Sequence, residues 1–159
     1  MAKTRRENMQ AIRAKGNKST ELKMVALFKQ SNITGWRRHL PLPGKPDFTF
    51  RKEKLTVFVD GCFWHRCPKC YREPKTNADF WKNKIQTNVK RDRRVTKELR
   101  KAGWNVSRIW ECRLKEPAPV ISRIIRLLKS PDPGSNKTLL KGSPARTVRS
   151  KSISDRAYL

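Results

Sequence analysis

Four cysteines, two histidines and a few acids are the residues whose types and spacing can do chemistry in this chain. Cys62, Cys67 and Cys70 form a C-x4-C-x2-C run, and Cys112 follows at the end of an expected strand. Four thiolates can close a tetrahedral zinc shell, and the hop across Pro68-Lys69 gives a tight knuckle. Such a shell leaves no position for a catalytic water, so its work would be structural. Two other readings stand beside it. The cysteines can be ordinary buried residues, or His65, which lies between Cys62 and Cys67, can replace one thiolate. A redox C-x-x-C would need a thioredoxin-like context that is absent here.

The acids suggest a second kind of chemistry. Pro46-Asp47 stands at an expected strand start, before an apolar strand that ends in Asp60. This is the skeleton of many metal-dependent nucleases. Mg²⁺ is a hard ion that prefers oxygen ligands, and it polarises phosphoryl oxygens and activates water. An ordinary turn aspartate explains Asp47 as well. The acid-spacer-lysine that usually ends the second strand is missing, because the strand reads Phe58-Val59-Asp60. Asp60 is therefore either a metal ligand or a solvated strand-end carboxylate.

His65 follows Phe63-Trp64, and a neutral imidazole there can deprotonate water attacking a phosphate. His39, within Arg37-Arg38-His39, reads as part of a basic, phosphate-contacting edge. Glu21 can orient a water or the catalytic histidine, or be an ordinary first-turn acid. Phe63 and Trp64 can wedge between bases or pack in the core. Met9 and Ile12, on a short helix expected at Asn8–Arg13, carry the same two readings.

The elements that must position these groups can be read from periodicity. Ser19 or Thr20 can cap a helix whose apolar face is Leu22, Val25, Ala26 and Phe28. Trp36–Leu40 and Asp47–Phe50 read as strands separated by a turn at Leu42–Pro46. Leu55–Val59 reads as a central strand. A long helix from about Asp79 to Ala102 presents Phe80, Ile85, Val89, Val95 and Leu99, and Gly103 stops it. Trp104–Trp110 is another strand and Val120–Leu128 a last helix. Strands interleaved with helices predict an α/β domain of two or three layers around a mixed sheet.

Composition bounds the function. There are 39 Lys+Arg against 13 Asp+Glu, a formal charge of +26, which points to a polyanionic partner. Charge alone does not separate DNA from RNA. No run approaches the roughly 18–20 apolar residues of a membrane span, and the N-terminus lacks the apolar stretch of a secretory signal. An intracellular, cytoplasmic and nucleoid-associated setting is expected. All four Cys and all five Trp lie between Trp36 and Cys112. Residues 129–159 turn to Ser, Pro, Gly and basic residues, a composition that cannot bury enough apolar surface to order itself. They read as a disordered basic tail after a domain spanning residues 1–128, of which 1–18 form a DNA-binding arm.

The segment FVDGCFWHRCPKCY resembles the hallmark of the very-short-patch (Vsr) mismatch endonucleases, an apolar strand followed by Gly-Cys-Phe-Trp-His. The resemblance continues in NMQAIRAK, in the helix bearing Glu21, in LPGKPDFTF and in FWKNKIQTNVKRDRRVTKELRKAGWNVSRIWEC. It spans roughly residues 5–128. It implies a zinc-stapled fold similar to type II restriction endonucleases, with a mixed central sheet flanked by helices. It also implies Mg²⁺-dependent nicking of one DNA strand, 5′ to the mispaired T of a T:G mismatch.

By the same resemblance, Asp47 matches the Mg²⁺-binding aspartate and Val59 a position that binds Mg²⁺ through its backbone carbonyl. His65 matches the general base and Glu21 a supporting acid. Phe63 and Trp64 match intercalating aromatics, and Met9 and Ile12 an arm that wedges from the other groove. Cys62, Cys67, Cys70 and Cys112 match the zinc positions. Apart from the resemblance, the basic residues Arg91, Arg93 and Arg94 are expected to engage the phosphates. Asp60 and Cys67 both stand where a member of the family carries histidine. A monomer suffices for a nick, and mismatch-repair proteins are candidate partners. The competing functions are a restriction or homing enzyme acting on a matched site, a non-catalytic zinc-containing DNA-binding module, and an RNA binder.

Overall fold

The structure, a computed structural model, describes residues 19–129. The expected N-terminal helix with Met9 and Ile12 lies outside the described residues, as does the segment from 130 onward. Within them the chain runs α1 (Glu21–Gln30), β1 (Trp36–Arg38), β2 (Phe48–Phe50), β3 (Leu55–Asp60), α2 (Ala78–Lys101), β4 (Asn105–Trp110), a 3-10 turn (Glu111–Lys115) and α3 (Pro117–Lys129). The expected elements are present with shifted ends, and the 3-10 turn is an addition.

The sheet order is β1-β2-β3-β4. The first two pairings are antiparallel, and β3 and β4 are parallel, joined across α2. Alternation along β3 decides what each face holds. Leu55, Val57 and Val59 join Met24 and Phe28 of α1 and Val120 and Ile124 of α3 in one core. Phe58 meets Val95 and Leu99 of α2 on the opposite face, beside Val106 of β4. The result is three layers. Phe28, Phe48 and Phe50 are each almost fully buried and meet edge to face. Each buried ring of this kind contributes roughly 1.5–3 kcal/mol.

Two helix faces differ from expectation. The buried stripe of α1 is Glu21, Met24 and Phe28, while Leu22 is 39% exposed and Ala26 faces outward. At about 100° per residue, Leu22 and Ala26 lie on the far side of that stripe. On α2 the buried residues are Ile85, Val95 and Leu99, with Val89 partly covered. Phe80 is 62% exposed because it sits about 140° round the helix from Ile85. Thr20 takes the N-cap position of α1 without a side-chain capping bond. Gly103, at φ +80°, ends α2 as expected. The Trp104 N–H reaches the Leu99 carbonyl and the Gly103 N–H that of Arg100, the pairing of a Schellman cap.

Candidate active site

The C-terminal end of β3 gathers the acids. The Val59 N–H donates to Asp47 Oδ2 at 2.7 Å, so the carboxylate closes the end of the β2–β3 ladder. The pairing Phe48↔Val57, continued by two residues, sets Pro46 opposite Val59. A residue's N–H and C=O leave an extended strand on the same side. The Val59 carbonyl therefore points toward β2, where Pro46 has no N–H to offer it. The Pro-Asp dipeptide thus satisfies the Val59 N–H and leaves its carbonyl without a ladder donor.

Asp47 has no ion pair among the described residues. Burial pushes its pKa up to about 6, and the charges of Glu21 and Asp60 add to the rise, against the Val59 N–H and His39. An acid so placed lacks a cation, and its oxygens suit a hard one. Glu21, nearby, is not in that position. It is buried, accepts from Arg38 Nε at 2.7 Å, and lies 2.7 Å from His39 Nε2. His39 adopts a left-handed backbone at φ +52°, so β1 ends at Arg38, two residues short of the expected Leu40, and the ring lies against Glu21. The first-turn acid is a buried centre of charge, and His39 is its partner.

Asp60 is not a solvated strand-end carboxylate. It is 4% exposed and both its oxygens are held by Arg108, Nε–Oδ2 at 2.7 Å and Nη2–Oδ1 at 2.6 Å. His65 Nδ1 is 3.8 Å from Asp60 Oδ1 and 2.5 Å from Asp92 Oδ2. Burial opposes ionisation of Asp92, but the hydrogen bond to His65 and the charges of His65, Arg108 and Arg91 hold it below the usual carboxylate range. An ionised Asp92 accepts only, so it fixes the ring proton on Nδ1 and leaves Nε2 as the basic nitrogen.

Sequence reasoning does not single out Asp92 or Arg108. Asp92 hides in the charge run Lys90-Arg91-Asp92-Arg93-Arg94, yet it falls on the inward stripe of α2 with Ile85, Val95 and Leu99. Arg108 shares the α2-facing parity of Val106 on β4, beside Phe58. Asp60, His65, Asp92 and Arg108 line one cleft of about 950 Å³ together with Arg93 and Lys97. Arg91 and Arg94 are exposed and do not line it; Arg91 lies 3.8 Å from Asp92 Oδ1, and Arg94 pairs with Glu98 on the outer face of α2.

The cysteine centre stands apart. The sulfurs of Cys62, Cys67, Cys70 and Cys112 all lie within 4.8 Å of one another, and His65 is not among them. The reading with three thiolates and an imidazole is thereby excluded. The Cys67 and Cys112 sulfurs are 3.8 Å apart, close to the ~3.8 Å edge of a tetrahedron with metal–sulfur bonds of about 2.3 Å. Burial pushes the Cys62 thiol up. Burial opposes ionisation of Cys67 too, but the backbone N–H groups of Lys69 and Cys70 hold it below its ordinary value. Four thiols this close ionise together only around a cation. The cluster therefore fits a metal, which would tie the loop carrying His65 to the end of β4.

Phe63 and Trp64 are half-buried and belong to neither core cluster. They meet each other and Trp81 at 5.4–5.8 Å, and exposed Phe80 extends the patch from Trp81 at 5.2 Å. Asn88 Nδ2 donates to the Trp64 carbonyl at 3.1 Å, which anchors the loop to α2. Trp81 is a further residue that the pattern Phe80-Trp81 did not reveal, because only the fold brings it to Phe63.

Comparison with known proteins finds relatives in one family. The family model described as DNA mismatch endonuclease Vsr matches residues 1–72. A type II nicking enzyme, V.NaeI, from Lentzea aerocolonigenes is 43% identical over 115 residues, covering 67% of each chain. The DNA mismatch endonuclease Vsr of Escherichia coli K12 is 38% identical over 114 residues, covering 70% of this chain and 72% of its own. The nicking enzyme V.XorIIP from Xanthomonas oryzae is 34% identical over 129 residues, covering 78% of this chain and 91% of its own.

Proposed function

We propose, from the premise that this chain belongs to the Vsr family of DNA mismatch endonucleases, that it nicks one DNA strand 5′ to the mispaired T of a T:G mismatch. That it is a DNA endonuclease, a hydrolase of phosphodiester bonds, follows from the family and its relatives. The observation that carries the mechanistic reading is the 2.5 Å contact of His65 Nδ1 with Asp92, at the same end of β3 as Asp47, which has no ion pair among the described residues. The proposal extends to a restriction-endonuclease-like fold, a monomeric enzyme acting inside the cell at the nucleoid, and a domain that ends near residue 128.

Asp47 and the Val59 carbonyl would hold Mg²⁺, which polarises the scissile phosphate and acidifies the attacking water when bound. His65 Nε2 takes the proton of that water while its oxygen bonds to phosphorus. One P–O ester bond breaks, and the leaving oxygen takes a proton from solvent. Asp92 orients the ring throughout. Glu21, held by Arg38 and His39, keeps a fixed negative charge near Asp47. Asp60 serves as the partner of Arg108 and not as a ligand. Cys62, Cys67, Cys70 and Cys112 would hold zinc, which would fix the loop that carries His65. Phe63, Trp64 and Trp81 offer ring faces to a base pair opened at the mismatch, where unstacking costs least. Arg91, Arg93 and Arg94 take phosphates. Met9 and Ile12 are proposed to wedge from the other groove, and mismatch-repair proteins are proposed partners.

A second reading, nicking of a matched site, is favoured by relatives that are named type II nicking enzymes. Both readings share the centre. Asp47→Ala and His65→Ala are expected to abolish nicking while metal content at the cysteines and DNA binding persist. Nicking by both variants overturns the assignment. Trp64→Ala is expected to lower preference for a mismatch more than general affinity; an unchanged preference returns Trp64 to a packing role.

A further inference from the structure

We infer that Arg108 is a positioning residue of the reaction centre: it withdraws Asp60 and aims Asp92, so that His65 Nδ1 has one carboxylate partner. The inference rests on the reading of His65 as the base. Two carboxylates lie within reach of the Nδ1 atom, Asp92 at 2.5 Å and Asp60 at 3.8 Å. A ring shared between two acceptors has two orientations, and only one can present Nε2 to the water. Arg108 resolves the competition. Its fork takes both oxygens of Asp60, and the same Nη2 reaches Asp92 Oδ1 at 3.1 Å, leaving Asp92 Oδ2 to His65.

The guanidinium is itself held. It lies over the Phe58 ring at 4.7 Å, and Phe58 is packed against α2. Its Nη1 is buried with no hydrogen-bond partner among the described residues. A side chain placed only to stabilise the fold would not be expected to leave a donor unpaired, since an apolar residue of similar volume often serves as well as a buried ion pair. The fixed charge of Arg108 instead sets the direction of Asp92, and through it of the His65 ring.

Arg108 lines the cleft, so Arg108→Ala opens the place of the guanidinium to solvent. The test measures nicking of the duplex that the wild-type chain cuts. Expected is a fall in kcat of about 10–100-fold, typical of losing a group that orients a reacting side chain, with KM for the duplex unchanged. Guanidinium ion, added well below denaturing concentration, restores part of that kcat. It gives no gain to the wild type or to His65→Ala. Wild-type kcat in Arg108→Ala, or a loss that guanidinium does not relieve, overturns the inference.

Should Arg108→Ala fail to fold, Arg108→Lys decides. A lysine keeps the charge but cannot hold both carboxylates in a fork, so its kcat is expected to fall; wild-type kcat there overturns the inference equally. Retained nicking in His65→Ala sinks the base reading itself. An inactive His65→Ala beside an intact Arg108→Ala sinks only the role of Arg108.

Discussion

Two acidic neighbourhoods flank the end of β3, and they are built in opposite ways. On the β2 side, Asp47 accepts one backbone N–H and has no ion pair among the described residues, and its pKa rises to about 6. On the α2 side, Asp60 and Asp92 are saturated by Arg108 and His65, and Asp92 stays below its usual range. Among the described residues one neighbourhood lacks a cationic partner, and the other holds Arg108 between its two acids. The proposed roles follow this difference: a metal beside Asp47 and the Val59 carbonyl, and a base supported by the Arg108-held acid pair.

Asp47→Asn tests the comparison hardest. It is expected to lower nicking by at least about 10³-fold, the upper range for loss of one electrostatic group. It should also raise stability. A carboxylate whose folded pKa lies above its unfolded value loses stability as pH climbs from about 4 through about 6. The loss above that window is at most about 3 kcal/mol. Metal-free Asp47→Asn should therefore melt higher than wild type at pH 7.5. Mg²⁺ should raise the wild-type Tm more at pH 7.5 than at pH 5 and leave the Asp47→Asn Tm unchanged. Equal Mg²⁺ responses in wild type and variant would erase the contrast between the two sides.

Asp92→Asn sharpens the other side. The amide can donate as well as accept, so it permits the wrong tautomer of His65. The expected loss is about 10–100-fold in kcat with little change in Mg²⁺ requirement. A raised Mg²⁺ requirement would place Asp92 among the ligands and merge the two neighbourhoods. The smallest effect is expected from Pro46→Ala. It restores an N–H opposite Val59, whose carbonyl can then be drawn into a ladder bond of about 0.5–1.5 kcal/mol. The Mg²⁺ concentration for half-maximal nicking should rise severalfold with kcat at saturation preserved. An unchanged requirement would mean that the Val59 carbonyl is not a ligand.

Much of this arrangement is legible in the sequence, because its signals are local. The C-x4-C-x2-C spacing announces a cluster, Pro46-Asp47 a ladder end, and Gly103 a helix stop. What the sequence hides is set by tertiary contact. Asp92 looks like one charge in a basic run until the inward stripe of α2 is traced through Ile85, Val95 and Leu99. Arg108 looks like an outward strand residue until β4 is paired with β3. Glu21 lies on the same stripe as Met24 and Phe28, so its burial can be read once the face is taken as 21, 24 and 28. Phe80 misleads because the first turn of α2 is apolar without facing the sheet. Its exposed ring extends the aromatic patch instead.

The most direct test of the central claim is a nicking assay in Mg²⁺ on paired duplexes that differ only in T:G versus C:G at one position. A single nick 5′ to the T, in the mismatched duplex alone, is the predicted result. Equal cutting of the matched duplex would contradict the mismatch role and make the chain a site-specific nicking enzyme built on the same centre.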